Sequence, residues 1–316
     1  MDWLTDPLSL ELFRRALIEA IVMGATCGAI GAYVVLRRLA FIGDALSHAV
    51  FPGVVLAYVT GFPIFAGAMI AGTLTSLAIA VVSRGQRIRE DTAIGIFFAG
   101  AFALGIVLIS TQSGYQRDLS AFLVGDLLGV GWDDIAASAL TGAAVIGLLV
   151  ALRKELLLAS FDRVYAQALG YPVFALELLL LLLLTATIVV SLSAVGIILV
   201  LAMLVTPAAT ARLLVDRFTP MMVLGAVLGA AYGIIGWYVS FHLNWSPGGA
   251  IVLTATVLFL VAFVFSPSHG LLAHRLRRHP QHDAGRAAID PPGGHRHGEG
   301  ESAVVASLQR RHPPGR

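Results

Sequence analysis

The feature that most constrains this chain is a succession of apolar blocks. Each is close to the roughly 20 residues an α-helix needs to cross a hydrocarbon core about 30 Å thick. They run over 16–36, 40–60, 63–82, 92–111, 134–152, 173–192, 195–215, 219–241 and 249–266. Within lipid each backbone N–H and C=O must be satisfied inside its own segment, so blocks of this length fold as helices. The expected fold is all-α: a polytopic transmembrane helix bundle of eight to nine spans, with a disordered polar C-terminal tail. Only 13% of the 316 residues are charged, against about a quarter in soluble domains, which excludes an ordinary soluble enzyme. Residues 119–131 are apolar but short, suited to a half-helix. Arg14 and Arg15 ahead of the first block superficially resemble a secretory leader. The apolar run is too long for one, and Asp2, Asp6, Glu11 and Glu19 oppose it, so a retained span is expected.

The basic residues set the expected orientation. With nine spans, Arg37–Arg38, Arg84, Arg87, Arg89, Arg153, Lys154, Arg163, Arg212, Arg217 and the tail fall on one side. The opposite loops hold only Arg117. Basic loops stay in the cytoplasm, so the C-terminus is expected inside and the N-terminus outside. Arg14 and Arg15 dissent, unless an interfacial N-terminal helix absorbs them; an eight-span count also remains open. The single cysteine, Cys27, lies inside an apolar run, so neither a disulfide framework nor a cysteine metal cage is available. Glycines four apart (Gly24 and Gly28; Gly225, Gly229 and Gly233) have the spacing that lets helices approach closely.

Ionisable groups within spans cost roughly 2.5–3.5 kcal/mol each on insertion scales, so each needs a reason. The clearest case is Gly43-Asp44-Ala45-Leu46-Ser47-His48-Ala49. Asp44 and His48 are four apart and share one helix face, with Ser47 offset. A carboxylate and an imidazole so placed can reach one divalent ion, since oxygen and nitrogen ligands suit manganese, iron or zinc. An Asp–His hydrogen bond joining two helices, or a proton relay, would also account for them. Glu19 and Glu177 face a cavity or snorkel to the interface. Asp126 suits a helix cap, and His242 suits an aromatic belt with Trp237, Tyr238, Phe241 and Trp245. Pro207 is expected to break the seventh span and free a carbonyl near Met203.

Residues 153–172 are polar, helix-forming and closed by Gly170 and Pro172, a cytoplasmic docking surface or an amphipathic connector. The division expected is 1–268 for the membrane domain and 269–316 for a tail that holds seven of the nine histidines. Its Pro/Gly content argues for disorder, and its histidines could hold Zn²⁺ loosely.

Taken together, Gly43-Asp44-Ala45-Leu46-Ser47-His48-Ala49-Val50-Phe51-Pro52-Gly53 resembles the most characteristic stretch of the membrane permeases of metal-uptake ABC transporters, the manganese/zinc/iron group or ABC-3 family. Ser160–Gly170, Val195–Ala211 and Ser246–Leu253 resemble it in order and spacing, and the likeness spans roughly 12–266. The resemblance implies a homodimeric permease in the cytoplasmic membrane. It implies a separate cytoplasmic ABC ATPase that uses ATP and docks on 153–172, and an extracytoplasmic metal-binding protein that delivers the cargo. It also implies that Asp44 and His48 bind the transported Mn²⁺, Zn²⁺ or Fe²⁺, with no permanently bound cofactor and no nucleic-acid partner. The chain contains no G-x-x-x-x-G-K-[ST] phosphate loop, in keeping with a transport subunit that is not itself an enzyme. The competing expectation is a secondary cation/proton transporter with Asp44 and His48 as relay. Such transporters pair broken spans in two repeats, and Pro207 has no counterpart in the first half.

Overall fold

The computed structural model describes residues 10–85, 87–111 and 127–266. Asp126, Arg117, Asp2, Asp6, the 269–316 tail and most of the 119–131 segment lie outside that range. Among the described residues the regular structure is helical throughout. The helices are α1 (Glu11–Leu36), α2 (Ile42–Ala49), α3 (Phe51–Thr60), α4 (Ile64–Ser83), α5 (Glu90–Ser110), α6 (Trp132–Ala151), α7 (Arg153–Phe161), α8 (Arg163–Ala168), α9 (Val173–Val195), α10 (Ile197–Leu214), α11 (Phe218–Leu243) and α12 (Pro247–Phe265). With α2 and α3 taken as one broken span, nine segments among the described residues are long and apolar enough to cross a membrane. They coincide with the nine expected blocks.

Local chemistry ends each helix where the sequence changes character. Gly61 closes α3 in the left-handed region. Gly196, at φ 84° and ψ 167°, turns the chain from α9 into α10 within one residue, a conformation open essentially to glycine alone. The expected polar helix over 153–172 is two helices, because Asp162 leaves the helical path and caps α8, accepting a hydrogen bond from the Tyr165 N–H at 2.8 Å.

The helices differ sharply in burial. In α1 72% of the spanning window is buried, whereas α5 and α12 each bury 17%. The outer helices present Leu74, Ile96, Val107, Leu140, Val257 and Leu260, as a lipid-facing or partner-facing surface requires. At the centre, α1 packs on α11 through glycines. A Cβ on Gly28 would lie 2.1 Å from the Gly225 carbonyl oxygen, and one on Gly24 would lie 2.3 Å from that of Gly229. Gly233 meets Ala20 in the same way. The glycine spacing noted in the sequence is thus a backbone-to-backbone contact. Buried side-chain hydrogen bonds add specificity between helices: Ser76 with Thr185 (2.7 Å) ties α4 to α9, and Tyr232 to Thr210 (3.1 Å) ties α11 to α10.

Two expectations are corrected. Pro207 does not break its span; α10 continues through it, with Pro207 buried among its neighbours. The break falls instead in the second span, at Val50, two residues before Pro52. Pro52 sits in the first turn of α3, where a missing N–H and a fixed φ suit a helix start. The Val50 carbonyl accepts the N–H groups of Gly53 (3.1 Å) and Val54 (3.2 Å) across the joint. Arg14 and Arg15 belong to α1 itself and not to a separate interfacial helix. Arg15 lies 3.8 Å from Glu11, which also accepts a hydrogen bond from Trp132 Nε1 at 3.0 Å. That bond joins the starts of α1 and α6 at one end of the bundle.

Candidate metal site

Arg37 caps the C-terminal end of α1, and the chain reverses through Arg38, which adopts a positive φ of 60°. The reversal is fastened by hydrogen bonds from the Arg38 N–H to the Val35 carbonyl and from the Leu39 N–H to the Val34 carbonyl. It launches α2 directly alongside the bundle core. From Ile42 to Val50 each residue is buried except Asp44 and His48. Their side chains are 27% and 21% exposed, so the turn opens at one place only.

The two side chains are in contact. His48 Nδ1 lies 3.5 Å from Asp44 Oδ1 and 2.9 Å from the Asp44 carbonyl oxygen. A carbonyl can only accept, so Nδ1 carries a proton, and in the neutral imidazole Nε2 keeps the lone pair that can be donated to a metal. The backbone thereby sets the tautomer a metal-binding histidine needs. Pro52, four residues on, has no N–H to offer the His48 carbonyl. Ser47 turns back to its own helix and donates to the Gly43 carbonyl at 2.8 Å, which leaves it outside the pair.

Aromatic rings wall the histidine. Phe98 and Phe102 of α5 stack on one another at 6.3 Å and receive the imidazole edge-on at 5.5 and 5.2 Å. Phe41 closes against Phe98 at 5.7 Å. These rings fix the imidazole plane and exclude water from one side of it. Sequence reasoning misses them; the available signal is a pair of phenylalanines one turn apart on a span built mostly of aliphatic residues. Beyond His48 an apolar cleft of about 360 Å³ opens between α3, α4 and α5, bordered by Ala49, Pro52, Gly53, Leu56 and Leu104.

The other sequence candidates lie elsewhere. Glu19 is fully buried in α1 and accepts a hydrogen bond from Ser138 of α6 at 2.7 Å, so it joins helices and does not snorkel. Glu177, near the start of α9, is buried and paired with Arg37 and Arg163. His242 stacks on Tyr238 and meets Phe241 edge-on, the aromatic-belt arrangement. Among the described residues no group of three or more His, Cys, Asp or Glu side chains is placed to hold a metal. Among the described residues this opening therefore brings together one carboxylate and one imidazole.

A bundle of apolar spans that opens at a carboxylate–imidazole pair partway along a broken span has the form of a membrane transport permease. The chain belongs to the ABC 3 transport family, whose model matches residues 9–266. It is 46% identical over 270 residues to the manganese transport system membrane protein MntC of Halalkalibacterium halodurans, covering 85% of this chain and 92% of the relative. It is 38% identical over 285 residues to the chelated iron transport system membrane protein YfeC of Yersinia pestis, covering 89% and 97%. Among solved structures it is similar to PsaBC from Streptococcus pneumoniae in complex with Fab, with TM-score 0.75 and 37% identity over 87% of this chain and 99% of that one. The chain is accordingly a multi-pass membrane permease subunit of an ABC metal transporter, a transport component that depends on a separate ATPase.

Proposed function

We propose that this permease imports Mn²⁺ or Fe²⁺ through a homodimer in which the Asp44–His48 pairs of two copies face one another across the path. The observation that carries the reading is the opening at α2, where Asp44 and His48 alone break an otherwise buried run. One pair leaves a transition metal short of ligands; two pairs offer two carboxylates and two imidazoles, and two negative charges against the cation's two positive ones. Carboxylate and imidazole suit Mn²⁺ and Fe²⁺, and the names of the relatives above point to the same ions. The basic end of the bundle, with Arg37, Arg84, Arg153 and Arg163, is the cytoplasmic end, and the C-terminus lies inside. There α7 and α8 seat the ATPase, and an extracytoplasmic binding protein delivers the ion at the opposite end.

The test is transport by the permease reconstituted with its ATPase in proteoliposomes. ATP-dependent uptake is expected for Mn²⁺ and Fe²⁺, with Zn²⁺ as the comparison ion, and none is expected from the permease alone. Accumulation by the permease alone, driven by a proton gradient, would replace this reading with a cation/proton transporter.

The membrane domain is proposed to end by residue 268, since the polar 269–316 segment has no apolar face to bury. Truncation after Gly270 is expected to leave insertion, assembly and basal uptake at wild-type levels. Loss of assembly on size-exclusion chromatography would show that the tail belongs to the folded unit.

A further inference from the structure

We infer that Glu177, held between Arg163 and Arg37, is the joint through which movement of the α7–α8 segment reaches the Asp44–His48 pair. The inference rests on the reading of α7–α8 as the ATPase seat. The observation behind it is a four-residue ionic cluster that lies outside the metal site and joins four separate elements. Glu177 Oε2 accepts a hydrogen bond from Arg163, the first residue of α8. Its Oε1 accepts one from Arg37 Nη2 at 3.2 Å. The other Arg37 nitrogen, Nη1, stands 3.9 Å from Glu90 Oε1, within ion-pair range but beyond a hydrogen bond.

Each arm of the cluster leads somewhere definite. Arg163 belongs to α8, whose start is held rigid by the Asp162 cap. Arg37 ends α1 immediately before the positive-φ reversal at Arg38, so a shift at Arg37 swings α2 and with it Asp44. Glu90 opens α5, and Phe98 of that helix, about 12 Å further along the axis, packs on His48. Both halves of the metal pair are thus reached from one carboxylate: Asp44 through the Arg38 elbow, His48 through the α5 rings.

The chemistry favours a positioning role over simple reinforcement. The side chains of Arg37 and Glu177 are each 8% exposed, and buried ion pairs add little net stability over apolar packing of the same shape. What they do provide is distance-sensitive attraction in a poorly screened setting. When α8 moves, Glu177 loses one of its two cations and its hold on Arg37 changes. The Arg37–Glu90 contact has room to close in response.

The experiment uses the permease reconstituted with its ATPase and reads ATP hydrolysed per Mn²⁺ imported, Mn²⁺ binding to the permease, and co-purification of the ATPase. Arg163→Gln is expected to raise the ATP-to-metal ratio about tenfold, within the usual range of coupling between distant sites. Mn²⁺ binding is expected to hold at the wild-type level, and co-purification shows whether the ATPase is still seated on α8. Arg163→Lys, which returns the charge, is expected to restore most of the coupling. Glu90→Gln, at the loosest contact of the cluster, supplies a second variant with little risk to folding and is expected to raise the ratio in the same direction. A wild-type ratio in assembled Arg163→Gln would overturn the inference. If Arg163→Gln fails to assemble, a wild-type ratio in Glu90→Gln would do the same. Absence of metal-linked ATP hydrolysis in the wild-type complex would instead remove the functional reading beneath it.

Discussion

Asp44→Asn is expected to cut ATP-driven metal uptake by about 100-fold or more while the protein still inserts and assembles. The substitution keeps the side-chain shape. It also keeps the hydrogen bond from His48 Nδ1 to the backbone carbonyl of residue 44, which carries the tautomer. What it removes is the negative charge that offsets the cost of stripping water from a divalent cation. His48→Ala should do comparable damage by deleting the imidazole, the proposed nitrogen ligand, and emptying the space beside Phe98 and Phe102. On the proposed reading both residues serve one ion, so the double variant should be little worse than either single one. Uptake normalised to folded, membrane-inserted protein is the deciding measurement. A purely structural Asp–His contact would lower yield or thermal stability and leave normalised uptake near wild type.

The second large effect is expected at the α1–α11 seam. Gly229→Val places a Cβ where the Gly24 carbonyl oxygen stands, 2.0 Å away, and the obstacle is backbone that cannot rotate aside. Overpacking commonly costs about 1–3 kcal/mol, and a clash with backbone at the centre of the bundle should reach the upper end or beyond. The expected result is loss of monodisperse protein after detergent extraction, or a marked drop in its unfolding midpoint. Gly147→Val is the matched control, because a Cβ there meets no atom within 4 Å. Equal behaviour of the two variants would show that the seam tolerates separation, and that glycine spacing is incidental to packing.

Much of the architecture is legible in the order of the amino acids, and the reason differs from case to case. The spans are legible because a bilayer makes a local demand: about 20 apolar residues in succession, whatever the rest of the chain does. Asp44 and His48 are legible because a four-residue spacing defines one helix face without reference to other helices. The prolines mislead for the converse reason. Whether proline breaks a span depends on what surrounds it, and Pro207 is clasped within the bundle while Pro52 falls at a helix start. Glu177 looks like a residue for an interface or a cavity, because nothing along the sequence announces that Arg37, 140 positions earlier, ends beside it.

The sequence by itself therefore determined the membrane-spanning helical architecture, the carboxylate–imidazole pair on one helix face and the family. All three depend on composition and spacing within a few turns of helix. Tertiary structure alone decided which face of α2 stays open, that Phe98 and Phe102 from another span wall the histidine, and that Gly24 and Gly28 meet Gly229 and Gly225. It also decided that four charges from four elements converge around Glu177. These pairings depend on helix-to-helix packing, where close van der Waals fit and the need to satisfy buried polar groups select one arrangement among many compatible with the same apolar pattern.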